Sequence, residues 1–424
     1  MLRHVLRMAL CAVFAISFLG CKPALVKRTA ALPSEVYVWQ RSWKPEITAS
    51  VSNSKGWLQA YHLLAAEVRF EKGEVKTTRI QPDKAAMAGL RVGLVIRIFP
   101  SAAKTGWDVK AVVEVVDLVK SLVAEWPEGS LAEVQLDYDC PDSKLPDFTR
   151  LLTAVKEAVS PLPVSCTALP SWLREKEFAD LAAVAPGYVL QVHSLHLPDS
   201  RGKRVALVDL EETDEAVARA VKIGVPFRVA LPTYSCVVEF DAAGKVREVY
   251  AEDVPQALPL QSSNYLVLDA DAYGMTTLVS KWRNEASPLM KSVVWYRLPV
   301  AGDRLNWSLD VMKQVVEGTP LKRGWKAECK ANDSGVHEIR LRQAGDAPDD
   351  LPLVAVVTWR GAEPAAADAL RGYRMIGSGP GYLGLELEDP GRLPRAAPGT
   401  EMVIGWLRLE REAKEMNVSL KAAQ

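Results

Sequence analysis

The stretch Leu131–Pro141, LAEVQLDYDCP, is the segment of this chain that best indicates its fold and its candidate functional site. Apolar and polar residues alternate along it, which predicts a short buried strand whose polar face carries Gln135, Asp137 and Asp139. An unpaired buried carboxylate costs on the order of several kcal/mol or shifts its pKa. We therefore expect this face to meet a wet cavity or cationic partners, which makes the strand the first candidate for a functional site.

The composition disfavours two functional classes. The 424 residues include 52 Lys and Arg and 52 Asp and Glu, so the chain lacks the basic excess of a nucleic-acid-binding face. Five histidines are too few for a His-rich metal site to be expected. Two carboxylates and Gln135 could hold a cation, but hard-metal sites usually recruit more oxygen ligands. Neither a metal nor an organic cofactor is implied.

Residues 1–20 have the pattern of an export signal. A basic start precedes the apolar run Met8–Leu19, and these 12 residues would span roughly 18 Å as a helix, against the roughly 30 Å hydrocarbon core. The segment is therefore expected to be removed rather than to cross a membrane. Residues 21–33 then form a short tether.

The end of this signal, Phe18–Cys21, resembles a bacterial lipobox, in which the cysteine becomes the lipidated first residue. The resemblance implies that Cys21 anchors a globular body to a membrane through a lipid. Lys22 after the cysteine, rather than Asp, resembles Gram-negative lipoproteins of the outer membrane. The resemblance implies that the chain is exported and faces the periplasm from the cell envelope. A plain signal peptide that is cleaved nearby is the alternative.

Residues 34–320 alternate between strand-like and helix-like patterns about eight times. This alternation over roughly 250 residues is typical of a (β/α)8 TIM-type barrel. An open doubly wound sheet is the alternative, but no glycine-rich phosphate loop follows the first strand. The predicted strands are Glu35–Trp43, Tyr61–Phe70, Leu90–Phe99, Leu131–Asp139, Pro163–Leu169, Gly187–Leu195, Pro226–Tyr234 and Met290–Pro299.

Residues 321–424 lose the helical pattern and predict a small all-β domain, most simply a sandwich. A brace for the barrel, a carbohydrate-binding module and a protein contact all remain open as its role. Six strands are predicted, separated by Pro and Gly clusters: Trp325–Ala331, Val336–Ala344, Leu351–Arg360, Leu370–Ile376, Tyr382–Glu388 and Glu401–Leu409.

Four cysteines remain after the predicted lipidation site, namely Cys140, Cys166, Cys236 and Cys329. They have no CxxC spacing, which disfavours zinc binding and thiol redox chemistry. In an oxidising compartment one or two disulfides are possible, and buried free thiols are the alternative.

Polar and aromatic residues collect at the carboxyl ends of the predicted strands, where a barrel carries its active site. Carboxylates, arginines and tryptophans around one mouth suit a sugar, because aromatic faces stack on its CH groups and polar groups bind its hydroxyls. Alternatively, Arg97 and Arg297 neutralise the two aspartates and Trp172 and Trp295 belong to the core. The candidate rim residues are Trp39, Arg41, Trp43, Glu67, Arg69, Arg97, Gln135, Asp137, Asp139, Trp172, Gln191, His193, Tyr234, Trp295 and Arg297.

The segment QLDYD with its following Cys and Pro resembles the fourth-strand signature of family 18 glycoside hydrolases, DxDxE followed by an aromatic residue and Pro. The resemblance implies that Asp139 stands at the general-acid Glu, Asp137 at the middle Asp and Gln135 at the first Asp. Asp in place of Glu withdraws the acid by roughly one CH2, and a small misplacement can cost ~100-fold in rate.

Two further segments resemble the same family. Gln191–His193 is similar to its sixth-strand Met-x-Tyr, which implies His193 for the Tyr and Ser194 for the Asp that follows. Trp295 resembles the Trp that floors the sugar subsite at the end of the last strand.

Six motifs in order, VYVWQRSW, QLDYDCP, TALPSWL, VLQVHSL, ALPTY and WYRLP, resemble an uncharacterised bacterial family with a glycosidase-like barrel and frequent lipoprotein signals. An oligosaccharide or polysaccharide is then the expected ligand. One hypothesis is a glycoside hydrolase with Asp139 as general acid and Asp137 as assisting carboxylate, or with Glu67 as a second carboxylate. The alternatives are a non-catalytic glycan-binding lipoprotein and a structural envelope component.

Overall fold

The computed structural model describes residues 32–71, 74–100, 107–193, 196, 198, 205–251, 264–390 and 395–421. The predicted signal segment, Cys21 and most of the tether lie outside these residues, as does Ser194. Within the described ranges, no helix is both long enough and apolar enough to cross a membrane.

Eight parallel strands close into a barrel in the order β1-β2-β4-β5-β6-β7-β8-β12, because β12 pairs with β1. The predicted TIM-type barrel is confirmed, and LAEVQLDY forms its fourth strand. Hairpin strand β3 extends β2, and β9, β10 and β11 form a small separate sheet. The strands are β1 Ser34–Val38, β2 Ala60–Glu71, β3 Glu74–Arg79, β4 Val92–Ile98, β5 Leu131–Tyr138, β6 Val164–Ala168, β7 Tyr188–Gln191, β8 Phe227–Pro232, β9 Ser235–Phe240, β10 Val246–Tyr250, β11 Tyr265–Asp269 and β12 Met290–Tyr296.

Helices cover the outside of the barrel with apolar stripes at helical spacing. In the second of them the Asp108 side chain caps the first turn by accepting a hydrogen bond from the Ala111 N–H, and Val115, Val119 and Leu122 face the core. The helices are α1 Pro45–Ser54, α2 Val109–Ala124, α3 Leu145–Ala158, α4 Lys176–Val184, α5 Leu210–Ile223, α6 Ala272–Glu285 and α7 Leu309–Glu317.

The base of the barrel interior is a layer of matched charges contributed by four strands. Arg228 Nη1 lies 2.6 Å from Glu133 Oε1 and 3.1 Å from Glu35 Oε2. His62 Nε2 lies 2.7 Å from Glu35 Oε2, and its Nδ1 lies 3.2 Å from Glu133 Oε1. Arg228 and His62 therefore face two carboxylates across the barrel, and these contacts offset the desolvation of the buried carboxylates.

The pKa values of Glu35, Glu133 and His62 in this base layer are all shifted toward the charged form of each group. Burial alone would raise the pKa of Glu35, but the hydrogen bond with His62 and the charge of Arg228 outweigh it and bring the pKa to about 2. The pKa of Glu133 is also held far below its usual range, because the Arg228 charge outweighs burial. Burial would lower the pKa of His62, but its contacts with Glu133 and Glu35 raise it.

Gly93 in β4 leaves the space that the His62 ring occupies. A Cβ atom at this position would lie 2.6 Å from His62 Nδ1, closer than these atoms can approach, and 3.2 Å from Glu133 Cγ, which is a tight contact. We expect Gly93→Ala to lower the free energy of unfolding by about 1–3 kcal/mol, since it overpacks a fixed charged layer. Urea unfolding followed by circular dichroism measures this change.

Gly324 offers the matched control for that substitution. A Cβ atom at this position would have no heavy atom within 4 Å, so Gly324→Ala should leave the free energy of unfolding within about 0.5 kcal/mol of wild type. Equal stabilities for the two variants would contradict the close packing of His62 against Gly93.

The C-terminal residues form two four-stranded antiparallel sheets around a shared apolar core, which confirms the predicted all-β domain. The sheet orders are β13-β14-β19-β16 and β17-β18-β15-β20. The strands are β13 Trp325–Ala331, β14 His337–Gln343, β15 Val354–Arg360, β16 Pro364–Ala369, β17 Tyr373–Gly379, β18 Tyr382–Leu387, β19 Glu401–Leu409 and β20 Lys414–Lys421.

Two of these strands, β16 and β20, were not predicted. Both lie at sheet edges, and β16 reads PAAADA, a sequence with little intrinsic β-propensity. The sandwich contacts the barrel through α6, where the Tyr273 hydroxyl donates to the carbonyls of Lys322 and Ala347 at 3.2 Å. The four cysteines are free thiols, so the free-thiol alternative is the one observed.

Candidate active site

Glu67, Arg97 and Asp137 occupy one row across the carboxyl ends of three neighbouring strands. The parallel register pairs Glu67 of β2 with Arg97 of β4, and Arg97 with Asp137 of β5. The structure thus brings together an acidic, a basic and a second acidic side chain that are distant in the sequence. This row forms one side of the barrel mouth.

Asp137 is an ordered, buried carboxylate. Its Oδ1 accepts hydrogen bonds from Thr167 Oγ1 at 2.8 Å and from Gln191 Nε2 at 3.4 Å, and the residue is 6% exposed. Gln191, at the end of β7, therefore lies beside Asp137. Thr167 was not among the predicted residues, although it lies on the same inward face of β6 as Ser165.

Gln135 lies below the mouth rather than in it. It is fully buried, accepts a hydrogen bond from the Tyr37 hydroxyl at 2.6 Å and donates to Ser165 Oγ at 3.3 Å. This corrects the prediction that Gln135 contacts a ligand. Its hydrogen bonds position Tyr37 instead.

Asp139 follows the last residue of β5 and is exposed at the mouth. The surrounding protein removes part of the water from the Asp139 carboxyl group, and this desolvation together with the negative charge of Asp137 raises its pKa to about 7. The positive charge of Arg97 opposes the rise. Because Asp139 is exposed, desolvation is limited, whereas repulsion by the Asp137 charge raises the pKa whether or not the Asp139 carboxyl group is in contact with water. Asp139 can therefore hold a proton near neutral pH.

The Asp139 pKa should respond in opposite directions to its two charged neighbours. Asp137→Asn removes the repulsion and should lower the pKa of Asp139, whereas Arg97→Gln removes the attraction and should raise it. Nuclear magnetic resonance of 13C-labelled aspartate carboxyls during a pH titration measures both shifts. A pKa that does not move in either variant would contradict the coupling of these three groups.

Aromatic rings form the opposite wall of the mouth. Trp39 meets Tyr296 edge to face with their ring centroids 5.0 Å apart, and His193 stacks on Tyr296 at 5.5 Å. The Tyr234 hydroxyl lies 3.4 Å from His193 Nδ1. The structure thus brings together Trp39, His193 and Tyr234, and Tyr296 is an aromatic neighbour that the sequence patterns did not reveal.

His193 is a neutral imidazole in this wall. Burial lowers its pKa to about 4, and within the described residues its Nε2 is buried without a hydrogen-bond partner. With Nδ1 engaged by Tyr234, Nε2 is the atom left for a hydrogen bond to a bound molecule. A buried polar atom without a partner is costly, so a ligand contact there would recover free energy.

Three of the predicted tryptophans do not line the mouth. Trp295 is fully buried on the outer face of β12, where its Nε1 donates to Ser34 Oγ at 3.3 Å. Trp172 is fully buried between the barrel and its helices, and Trp43 donates through Nε1 to Thr48 Oγ1 of α1. These placements correct the three assignments as sugar-contacting residues.

The arginines of the rim have partners of different kinds. Arg41 donates to Glu67 Oε1 at 2.9 and 2.7 Å, and Arg297 Nη2 lies 2.8 Å from Asp303 Oδ2. The Arg97 guanidinium lies 5.7 Å from the Trp39 ring centroid, and its charge acts on Asp139. Arg297 was one of the two arginines expected to neutralise Asp137 and Asp139, but it pairs with Asp303 instead.

A cleft of about 570 Å³ opens next to the mouth, between the segments that follow β1 and β12. Trp39 belongs both to the aromatic wall and to this cleft. Its charged lining residues are Arg41, Lys44, Glu46, Arg297, Asp303 and Arg304. Throughout the described ranges, no group of three or more His, Cys, Asp or Glu is placed to hold a metal ion.

Residues 104–301 match the model of a domain of unknown function, DUF3142. The match confirms the resemblance to an uncharacterised family that was drawn from six sequence motifs. None of the curated proteins matches the chain.

Solved structures share the barrel fold at low sequence identity. The C-terminal domain of a candidate chitinase from Desulfitobacterium hafniense gives a TM-score of 0.50 at 11% identity, over 68% of this chain and 99% of that chain. A chitinase from Bacillus thuringiensis gives 0.47 at 8% identity, over 92% and 100% of the two chains. A spore cortex-lytic enzyme from Bacillus cereus gives 0.46 at 11% identity, over 68% and 74%. These similarities concern the fold alone.

Proposed function

We propose that this barrel, which shares its fold with a solved candidate chitinase domain, hydrolyses glycosidic bonds with Asp139 as general acid and Asp137 as assisting carboxylate. The observation that carries the proposal is the position of an exposed Asp139 beside the buried Asp137, whose carboxylate accepts hydrogen bonds from Thr167 and Gln191, at the rim of the barrel. The raised pKa of Asp139 supports it. Rims of this kind hold the active sites of TIM barrels.

Asp139 supplies the proton to the departing sugar oxygen. A general acid works best when its pKa lies near the working pH, because it is then both protonated and able to transfer its proton. A pKa of about 7 meets this condition. The exposed Asp139 and the buried Asp137 also lie in different environments, as is expected of a general acid and its assisting carboxylate. Since the acid acts in its protonated form, the rate falls as the pH rises through this value.

Asp137 acts on the substrate rather than on water. Hydrogen bonds from Thr167 and Gln191 to its Oδ1 fix the orientation of the carboxylate. A carboxylate held in this way can accept the N–H of an acetamido group and orient that group toward the anomeric carbon. In such substrate-assisted hydrolysis no carboxylate of the enzyme serves as nucleophile.

Glu67 is the less suitable second carboxylate. Two hydrogen bonds from Arg41 hold its Oε1, and Arg69 approaches its Oε2 at 3.8 Å. A carboxylate whose oxygens are engaged by two guanidinium groups is less available to attack an anomeric carbon. The substrate-assisted route is therefore favoured over the route with two carboxylates.

Asp139→Asn tests the assignment of the general acid. Loss of proton transfer should reduce kcat by about 100-fold or more, while the affinity for the glycan stays within a few-fold. Product release from an N-acetylated oligosaccharide, followed by chromatography, gives kcat, and titration calorimetry gives the affinity. The wild-type rate should decline above about pH 7.

Asp142→Asn is the matched control, since Asp142 is an exposed aspartate a short distance along the chain from Asp139. Its kcat should equal that of wild type. Undiminished turnover in the Asp139→Asn variant would eliminate Asp139 as the acid.

Glycan binding without cleavage is the second candidate function. It is favoured by the short side chain at position 139, which places the carboxyl group about one CH2 further from a substrate than Glu would. Oligosaccharide binding by the wild type with no product after several days would support this candidate, and cleavage would exclude it.

Anchoring in the cell envelope through a lipid on Cys21 completes the proposal, and it rests on the sequence of the signal segment alone. Cys21→Ser should move the protein from the membrane fraction to the soluble periplasmic fraction and abolish labelling by a radioactive fatty acid. The matched control is Cys11→Ser, which changes the only other cysteine of the segment and should leave both readouts unchanged. Retention of Cys21→Ser in the membrane would contradict lipidation there.

A further inference from the structure

Building on the proposed function, we infer that the cleft between the segments that follow β1 and β12 receives the carboxylate of an acidic sugar unit. The substrate would then be a glycan with both uncharged and acidic units, rather than a neutral homopolymer. Three features carry this inference: a buried arginine with an unused donor, an excess of cations in the cleft, and the position of the cleft opposite the aspartates.

Arg297 is a buried cation with one donor to spare. The residue is 5% exposed, its Nη2 pairs with Asp303, and its Nε has no hydrogen-bond partner within the described residues. A buried N–H of a charged group without an acceptor is costly, and a carboxylate oxygen forms a charge-assisted hydrogen bond with such a donor. A ligand carboxylate in the cleft would supply the missing acceptor.

The cleft has more positive than negative side chains. Four basic residues and two acidic residues line it, and Lys44 among the basic ones is exposed to solvent. The interaction of Arg41 with Glu67 reduces this excess without cancelling it. An anionic group is therefore attracted to the cleft, and salt should weaken the attraction.

The strand order places the cleft on the far side of the mouth from the aspartates. Strand β5, which leads to Asp139, is the fourth strand of the barrel and β12 is the eighth, so they face each other across it. Trp39 follows β1 and Tyr296 ends β12, so the aromatic wall lies on the cleft side of the mouth. A carboxylate near Asp137 would be repelled, so a glycan would lie with its uncharged unit at Asp139 and its acidic unit at Arg297.

The size of the cleft suits a sugar unit rather than a small free anion. Its volume of about 570 Å³ falls within the range of about 300–1,000 Å³ that is typical of small-molecule sites. Trp39 provides an apolar surface continuous with the aromatic wall. The same chain of sugar units can therefore contact both the wall and the cleft.

Calorimetric titration with a matched pair of oligosaccharides tests the inference. One contains alternating N-acetylglucosamine and glucuronic acid units, and the other is the same compound after chemical reduction of its carboxyl groups to hydroxymethyl groups. Full-length Asp139→Asn is used throughout to prevent turnover. The acidic compound should bind about 10-fold more tightly at low salt, and this preference should shrink as sodium chloride is raised.

Lys44→Glu locates the preference in the cleft. This exposed substitution reverses one cleft charge and should lower the ratio of the two affinities by at least about 3-fold. Lys55→Glu at the other end of α1 makes the same change outside the cleft and should leave the ratio unchanged. Arg297→Gln should also lower the ratio, and its thermal unfolding shows whether the buried substitution is folded.

The outcomes separate this inference from the proposed function. Equal affinities for the acidic and reduced compounds overturn the inference and leave glycan binding intact. Binding of neither compound, nor of neutral oligosaccharides, overturns both. A preference that survives in Lys44→Glu as fully as in Lys55→Glu overturns the assignment of the cleft.

Discussion

The two-residue period of the barrel strands is the constraint on which both the core and the candidate site depend. On β5 it turns Glu133, Gln135 and Asp137 inward in one column, so that each reaches a different height of the barrel. Glu133 joins the charged layer at the base, and Asp137 reaches the mouth. A shift of one residue would turn the whole column outward and leave Arg228 and His62 without this carboxylate partner.

Hydrogen bonds connect the charged base to the aromatic mouth. Ser165 donates to Glu133 at 3.0 Å and accepts from Gln135 at 3.3 Å, and Gln135 in turn accepts from Tyr37 at 2.6 Å. The Tyr37 ring meets Trp39 with centroids 5.6 Å apart. Because each buried polar group satisfies the next, the base layer sets the height and orientation of rings that would contact a ligand.

The barrel and the position of its acidic strand could be predicted because they depend on local alternation, which is visible in a single sequence. The base layer could not, because its members come from β1, β2, β5 and β8 and only the closed barrel shows that they meet. His62, Glu133 and Arg228 each alternate with apolar neighbours, so the sequence could have marked them as inward-facing polar residues. Which of the four base-layer residues contact each other depends on closure of the barrel, and their spacing along the sequence does not indicate it.

The errors in the candidate site have the same physical origin. The motif resemblance pointed to Trp295, but adjacent residues of a strand face opposite sides, and Val294 already points inward, so Tyr296 and not Trp295 reaches the mouth. Parity instead supports the two aspartates, since residues 135, 137 and 139 share one face. Asp137 lies within the strand ladder with two neutral donors, whereas Asp139 lies one step beyond it in the exposed mouth. Asp137 is therefore a carboxylate fixed by hydrogen bonds, whereas Asp139, further along the chain, has a pKa of about 7.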